Sequence, residues 1–354
     1  MRVLQVIDSL EPGGAERMAL NYAIALKHAT GFAALAVTRK EGSLRNAIPQ
    51  DVPYCFLNRK ATFDIKAIMA LRNFCKQHKI EWLHAHSTSW FICICVKLLA
   101  PKLKIIWHDH YGLSEFADDR KPGALKWASM LFFGIITVNQ HLREWSEVHL
   151  KCNTVVYFPN FSLKSSNEVA QTTLKGEAGK RILCLANLRP QKDHFMLIRA
   201  ALQIEPGWTF HLVGKDFRDD YSKEVRQTII SKGLENKIFV YGSCNDVQNI
   251  ITQSDICILT SASEGLPVAL LEYGFMAKAV VATAVGEVGS VINNGENGLT
   301  CEPGDATGFA AAVKMLISDE TKRIKLGGAL EKTVHETYSQ QAVMTKYTNW
   351  INRL

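Results

Sequence analysis

The sequence contains no Cys-x-x-Cys pair and no repeated cysteine spacing. Its nine cysteines are spread over 354 residues, whereas a secreted disulfide scaffold is shorter and richer in cysteine. Residues 1–8 (MRVLQVID) are too short an apolar run to form the core of a signal peptide. We therefore expect reduced thiols in a cytoplasmic protein.

Long apolar runs and common nucleotide fingerprints are also missing. The longest apolar stretch, residues 90–100, is interrupted by Lys97 and is shorter than the ~20 residues that span a bilayer, so we expect no membrane-spanning segment. No G-x-G-x-x-G follows a predicted strand, and no G-x-x-x-x-G-K-[ST] is present. The dinucleotide fingerprint and P-loop chemistry are therefore excluded.

The composition is globular, and the excess positive charge lies in one half. Hydrophobic residues make up 47% and charged residues 21% of the chain, and its length suggests two domains. Residues 1–164 carry 21 Lys and Arg against 13 Asp and Glu, whereas the remainder carries 20 against 21. A basic half indicates either an anionic partner, such as a phospholipid surface, a lipid phosphate or nucleic acid, or a solvated basic face.

Strand-like and helix-like segments alternate along the chain. Short apolar runs predict strands at 3–7, 33–37, 82–85, 104–107, 134–138, 181–186, 209–213, 237–241, 256–259 and 279–282, with helical spacing between them. This alternation is typical of parallel sheets covered by helices on both faces. The polar residues 161–180 resemble a linker, so we predict two doubly wound α/β domains that bind ligands beyond the carboxyl ends of their strands, in a cleft where they face each other.

The first candidate site is the turn after the first strand. Residues 8–17 read DSLEPGGAER, and Gly13 and Gly14 would open a helix there. Glycine lets the backbone approach a ligand closely, and a helix amino terminus favours negative charge. An ordinary strand–helix turn is the alternative.

Two basic residues form the second candidate site. Residues 186–193 (ANLRPQKD) follow the first strand of the second half. Arg189 offers a planar fork of donors and Lys192 a point charge, which together suit a diphosphate, and Asp193 could cap the next helix. A solvated basic turn is the alternative.

The third candidate is the segment 261–272 (SASEGLPVALLE). Pro267 is predicted to be the first helical residue. Backbone N–H groups at this helix start would come from Gly265, Leu266 and Val268. Glu264 in the loop and Glu272 in the second helical turn could accept hydrogen bonds from a polyhydroxylated ligand. A capping Glu264 and an exposed Glu272 are the alternative, which is weaker for Glu272 because its neighbours are apolar.

Histidines provide the fourth candidate. His108 and His110 follow the predicted strand at 104–107, where a histidine can hydrogen-bond a reacting hydroxyl or act as a base near neutral pH. A metal site would need a further ligand. His84 and His86 lie at another strand end, and polar contacts in the core are the favoured interpretation for them.

Together these segments resemble a glycosyltransferase of the GT-B fold, from the large retaining group known as family 4, over nearly the whole chain. The turn at 12–17 is similar to that family's glycine loop, residues 187–192 to its diphosphate-binding loop, and residues 264–272 to its E-x7-E element; residues 286–288, 294–299 and 303–305 are similar to its carboxyl-terminal run. The resemblance implies an acceptor-binding domain at 1–165, a nucleotide-sugar-binding domain at 166–337, and a helix at 338–354 that returns to the first domain.

The same resemblance implies roles for individual residues. Arg189 and Lys192 would hold the diphosphate and stabilise its charge as it leaves, Glu264 would hold hydroxyls of the donor sugar, and Glu272 those of the ribose. The donor pocket would be completed by Gly13, Gly14, Gly265, Leu266, Pro267 and Val268. His108 aligns with the family's cleft histidine, and its neighbour His110 leaves this assignment open. No cofactor and no divalent metal are implied, and the anomeric configuration would be retained without a covalent glycosyl-enzyme.

The implied reaction moves a hexose or N-acetylhexosamine from a nucleotide-sugar, with a UDP-sugar as first choice, to a glycan or lipid-diphosphate acceptor in surface polysaccharide synthesis. No nucleic-acid partner is implied. The basic half could face the inner side of an anionic membrane through Trp90, Phe91, Lys97, Lys102 and Lys104, although a core helix is the favoured interpretation for residues 90–99. A GT-B nucleotide-sugar epimerase and a non-catalytic nucleotide-sugar-binding partner protein are the competing interpretations.

Overall fold

The computed structural model describes residues 1–11, 13–111, 120–161 and 170–354, which divide into two compact units. Unit 1 comprises residues 1–163 and 339–354, and unit 2 comprises residues 164–338. The predicted boundary at residues 165 and 166 lies outside the described residues. None of the helices in the described ranges combines the length and the apolar character that a membrane span requires.

Unit 1 is built on a seven-stranded parallel sheet. Its strands are β1 (Val3–Ser9), β2 (Ala33–Lys40), β3 (Tyr54–Phe56), β4 (Trp82–His86), β5 (Lys104–Asp109), β6 (Gly134–Thr137) and β7 (Val155–Tyr157), in the order β3-β2-β1-β4-β5-β6-β7. The described helices between them are α1 (Gly14–Thr30), α2 (Ile65–Gln77), α3 (Trp90–Leu99), α4 (Gly123–Ala128) and α5 (Gln140–His149). Helices cover both faces, so the central strands are apolar on both sides. In β1, Leu4 and Val6 face one core cluster, while Val3 and Ile7 face clusters on the opposite side.

Unit 2 is built on a six-stranded parallel sheet. Its strands are β8 (Arg181–Leu185), β9 (Thr209–Val213), β10 (Ile238–Gly242), β11 (Ile256–Leu259), β12 (Ala279–Thr283) and β13 (Leu299–Cys301), in the order β10-β9-β8-β11-β12-β13. Its helices are α6 (His194–Ala201), α7 (Asp220–Ser231), α8 (Val247–Thr252), α9 (Val268–Phe275), α10 (Val288–Val291), α11 (Ala306–Ser318) and α12 (Glu320–Tyr338). The strand order reverses between β1 and β4 in unit 1 and between β8 and β11 in unit 2. Ligands of doubly wound sheets bind at such points, at the carboxyl ends of the strands. The predicted pair of doubly wound α/β domains is confirmed.

The last helix, α13 (Gln340–Ile351), belongs to unit 1 although it follows unit 2 along the chain. Val343, Tyr347 and Ile351 pack in one cluster with Tyr22 of α1. Gly134 allows the close approach of this helix to β6, because a Cβ at that position would press on the indole of Trp350.

Candidate functional site

The carboxyl ends of β8 and β11 bring two of the predicted segments together in unit 2. Residues 186–193 leave β8 and residues 260–267 leave β11, its neighbour in the sheet. The N–H of Ala262 donates to the carbonyl oxygen of Gln191 at 2.8 Å, and Thr260 Oγ1 donates to the carbonyl oxygen of Lys192 at 3.0 Å. The two loops therefore form one continuous surface.

Lys192 and Glu264 meet at the centre of this surface. Lys192 Nζ lies 2.5 Å from Glu264 Oε1, and the two side chains are 22% and 8% exposed. Ser261 Oγ donates to the same oxygen at 2.6 Å. Within the described residues no hydrogen bond reaches Oε2 of Glu264. The carboxylate is therefore oriented through one oxygen and can accept a hydrogen bond from a ligand hydroxyl through the other.

Arg189 and Asp193 flank Lys192 with different roles. Asp193 adopts a left-handed conformation (φ 40°) and caps α6 by accepting a hydrogen bond from the N–H of Met196 at 3.0 Å, which confirms its predicted capping role. Arg189 is exposed, and its guanidinium lies 4.4 Å from the centroid of the Phe217 ring. Phe217 belongs to none of the motifs, so the sequence does not predict this contact. Arg189 and Lys192 thus share one loop, but the described contact of Arg189 is with Phe217 rather than with Glu264.

Gly286 supports the Glu264 loop from the next strand end. It has a φ of 52°, and a Cβ there would overlap the carbonyl oxygen of Glu264. The N–H of Glu287 donates to the carbonyl oxygen of Gly265 at 3.2 Å. Only glycine fits both the conformation and the space, so the run that begins at Gly286 positions Glu264.

Helix α9 starts one residue later than the sequence predicts. Pro267 has an extended ψ of 116° and is the N-cap, so the helix begins at Val268 and the prediction that Pro267 is its first residue is wrong. Gly265 and Val268 are exposed, Leu266 is half-buried and Pro267 is buried. Glu272 is half-buried in the second turn, and the N–H of Leu185 donates to Tyr273 Oη at 2.6 Å, which fixes α9 to β8.

The glycine turn and the histidines lie in unit 1. Gly13 is the N-cap of α1 and Gly14 its first residue, so this turn opens a helix as predicted; Pro12 lies outside the described residues. β5 extends to Asp109, beyond its predicted end at residue 107. His108 therefore lies within the strand and is fully buried rather than projecting past it, while His110 is half-buried just after the strand.

Register explains why the histidines cluster. Alternate residues of a strand share a face, which places His84 and His86 on one face of β4, and His86 pairs in register with His108 of β5. His84 and His86 are fully buried and make the polar core contacts that the sequence favours. The hydrogen-bonded chains are Tyr347–His84–His108, at 3.1 and 3.2 Å, and His110–His86–Gln5, at 2.9 and 2.8 Å. Burial lowers the pKa of all four histidines, that of His110 to about 3, because a buried imidazolium loses its hydration.

The ring orientations bear on whether this cluster could hold a metal. His84, His86 and His108 each offer a nitrogen within 4.8 Å of the others. An ion bound at ~2.0–2.1 Å needs lone pairs that converge on it. The interplanar angles are 22°, 11° and 33° for the pairs 84/86, 84/108 and 86/108. The nitrogen lone pairs lie in the planes of the imidazole rings. Because the three rings are nearly parallel, their lone pairs do not converge on one ion. The arrangement fits a hydrogen-bonded chain better than a metal centre.

The helix considered for membrane contact packs inside unit 1. Ile92, Cys93 and Val96 of α3 are buried in a core cluster, and Trp90 packs against it. Lys97 Nζ donates to the carbonyl oxygen of Leu103 at 2.6 Å. These contacts fit the interpretation of residues 90–99 as a helix of the core.

Two family models match most of the chain between them. The model of glycosyl transferases group 1 matches residues 165–333, and that of glycosyltransferase family 4 matches residues 12–161. The N-acetyl-alpha-D-glucosaminyl L-malate synthase of Bacillus anthracis is 27% identical over 123 residues, which is 35% of this chain and 32% of that protein. The UDP-Gal:alpha-D-GlcNAc-diphosphoundecaprenol alpha-1,3-galactosyltransferase of Escherichia coli is 22% identical over 312 residues, which is 80% of this chain and 78% of that protein.

A solved structure has the same fold as this chain. The Anabaena protein HepE in complex with UDP matches with a TM-score of 0.81, covering 100% of both chains at 18% identity. At this identity the likeness shows the fold alone.

Proposed function

We propose that this chain, a glycosyltransferase of the GT-B fold, transfers a hexose or N-acetylhexosamine from a nucleotide-sugar to a glycan or lipid-linked acceptor with retention of configuration. The observation that carries the proposal is the Lys192–Glu264 pair at the carboxyl ends of β8 and β11. A UDP-sugar is the favoured donor, because the Escherichia coli relative is named for a UDP-galactose reaction and HepE was solved with UDP and with UDP-glucose. Surface polysaccharide synthesis is the favoured role, because a Rhizobium meliloti relative that is 24% identical over 166 residues is named for lipopolysaccharide core biosynthesis.

We assign the activation of the nucleotide-sugar donor to two cationic side chains. In the proposed mechanism, Lys192 and Arg189 bind the diphosphate and stabilise the negative charge that develops as the bond to the anomeric carbon breaks. Glu264 Oε2 accepts a hydrogen bond from a sugar hydroxyl, and Glu272 accepts from the ribose. The acceptor hydroxyl attacks from the face that the diphosphate leaves and passes its proton to the departing diphosphate oxygen, so configuration is retained without a covalent intermediate. Backbone groups of residues 265–268 complete the proposed donor contacts in unit 2, with neither a cofactor nor a divalent metal. The donor role of Gly13 and Gly14 stays a prediction.

His110 is the better candidate for the acceptor side. It is half-buried at the carboxyl end of β5, whereas His108 is fully buried and stacks on it at 4.0 Å between ring centroids. We therefore assign the contact with the acceptor to His110 and the support of its ring to His108. The membrane contact through residues 90–104 remains a prediction, which flotation with anionic vesicles would test.

The experiment is a transfer assay with Glu264→Gln and a matched control. Nucleotide-sugars are first ranked by thermal shift, since a ligand at 100 times its Kd adds ~2.7 kcal/mol to the stability. Losing one hydrogen bond to a charged group removes ~1.5–3 kcal/mol of transition-state stabilisation, so kcat/KM should fall by about tenfold or more. Glu235→Gln, an exposed position in the same unit, should leave kcat/KM within about twofold.

The outcome separates the competing functions. A Glu264→Gln rate within about threefold of wild type would refute the role of Glu264. Conversion of the nucleotide-sugar without an acceptor would indicate the epimerase, and binding without conversion would indicate the non-catalytic protein.

A further inference from the structure

Adjacent strand ends in unit 1 bring two arginines close to one aspartate. Arg39 lies at the end of β2 and Asp8 near the end of β1, while Arg59 follows β3. These three strands are neighbours in the order β3-β2-β1. The N–H of Arg59 donates to the carbonyl oxygen of Thr38 at 2.7 Å, which fixes this residue beside the carboxyl end of β2.

Arg59 is a buried cation without a hydrogen-bond partner for most of its head group. The residue is 5% exposed, and within the described parts of the chain its Nε and Nη1 are enclosed but unpaired. Burial lowers the pKa of Arg59, an effect that Asp8 opposes and Arg39 reinforces. A buried guanidinium that lacks partners is unfavourable for folding, which is typical of a group kept for a ligand.

Asp8 does not provide the missing partner. Its Oδ1 accepts a hydrogen bond from Thr38 Oγ1, and its Oδ2 accepts one from Thr88 Oγ1 at 2.6 Å. Arg39 Nε lies 4.0 Å from Oδ2, and the Arg39 side chain is 41% exposed. Two cations thus accompany one carboxylate that is already hydrogen-bonded, so this edge carries a net positive charge that solvent and ligands can reach through Arg39.

We propose that Arg59 and Arg39 bind a phosphate-type oxyanion on the acceptor. The guanidinium fork of the exposed Arg39 matches the oxygens of a phosphate or diphosphate, and an oxyanion held there would supply the negative charge that the buried Arg59 lacks. This inference rests on the proposed function, which assigns the diphosphate of the donor to Arg189 and Lys192 in unit 2 and so leaves the unit 1 site to the acceptor.

The test titrates inorganic pyrophosphate into the full-length protein by calorimetry, with UDP present in excess to occupy the donor site. Arg59→Met and Arg39→Gln should each weaken pyrophosphate binding by about tenfold or more, because each removes a charge-assisted contact. Arg45→Met, an exposed arginine of the same unit that lies 3.6 Å from Glu41, should bind within about twofold of wild type. Unchanged binding in Arg59→Met and Arg39→Gln, or no binding by the wild type, overturns the proposal.

Thermal stability distinguishes a ligand site from a structural arginine. Arg59→Met should unfold at the same temperature as wild type or higher without pyrophosphate, because it removes an unpaired buried charge. A lower Tm would show that Arg59 stabilises the fold and would overturn the proposal. If UDP does not bind, the result counts against the proposed donor site and not against the unit 1 site. Pyrophosphate is then titrated into Lys192→Gln and into the double variant Arg59→Met/Lys192→Gln. The difference in pyrophosphate affinity between these two variants measures binding at the unit 1 site.

Two further probes distinguish the sources of the oxyanion. Phosphatidylcholine vesicles that contain a prenyl diphosphate represent a lipid-linked acceptor, and glucose 1-phosphate represents a soluble one. Either probe should compete with pyrophosphate in wild type and not in Arg59→Met, and the stronger competitor identifies the source. If neither competes, the assignment to the acceptor is wrong.

Discussion

At the scale of the residue, the candidate site depends on one contact between side chains from two different strand ends. Lys192 and Glu264 are both expected at strand ends, but 72 positions separate them and no local pattern specifies the 2.5 Å contact between Nζ and Oε1. That contact depends on β8 and β11 being neighbours in the sheet. Arg59 has even less local signal, since it stands between Asn58 and Lys60 and resembles a solvated basic turn.

Gly286 offers a test of how the Glu264 loop is held. Gly286→Ala should lower the free energy of unfolding by ~1–3 kcal/mol, because the methyl group must displace the carbonyl of Glu264 and the residue has a positive φ. UDP-sugar binding should weaken by about tenfold or more as the loop moves. Calorimetry and urea unfolding measure both effects.

The matched control for this change is Gly289→Ala, where an added Cβ meets nothing within 4 Å. It should leave binding within about twofold and stability within ~1 kcal/mol. Equal effects at the two positions would contradict the steric argument.

At the scale of the element, the sequence predicts the central strands and misses short peripheral ones. β3, β7 and β13 have three residues each and lie at or next to sheet edges, and three residues are too few to show a period. The end of β5 is also missed, because His108 and Asp109 are polar although buried in the sheet. Their burial depends on tertiary partners, such as Arg120 for Asp109.

Helix α13 offers a test at this scale. Tyr347 Oη lies 3.1 Å from His84 Nδ1 in the interior of unit 1. Tyr347→Phe should lower the free energy of unfolding by ~1–3 kcal/mol, because a buried imidazole nitrogen loses its partner. Urea unfolding checks the size of the effect.

The control is Tyr54→Phe. The Tyr54 hydroxyl donates to Glu41 at the surface at 2.6 Å, so this change should alter the free energy of unfolding by less than ~0.5 kcal/mol. A loss at Tyr347 no larger than that at Tyr54 would show that the contact with His84 contributes little.

At the scale of the whole molecule, buried histidines make the two units differ in their response to acid. Unit 1 contains four histidines with lowered pKa values, and unit 2 contains two, His194 and His211, each with a pKa of about 4. Unfolded histidine takes up a proton below pH ~6.5, whereas these folded ones stay neutral, so acid favours the unfolded state. Asp109, whose pKa burial raises, acts in the opposite direction.

Stability should therefore fall from pH 6.5 to 5 by up to ~1.4 kcal/mol per pH unit for each such histidine, and more steeply in unit 1. Amide hydrogen exchange at several pH values, read separately for the two units, measures the slopes after correction for intrinsic exchange. A slope in unit 2 equal to or steeper than that in unit 1 would contradict the assignment of the histidines as buried and neutral.

The position of α13 along the chain also affects how the protein is made. Residues 340–351 leave the ribosome after all of unit 2, so the first unit to be synthesised is the last to be completed. Until then the nascent chain lacks the cover that Val343, Tyr347 and Ile351 give to Tyr22 and the neighbouring apolar side chains. Premature termination before α13 would release a chain with a finished second unit and an open first one, a natural substrate for chaperones and proteases.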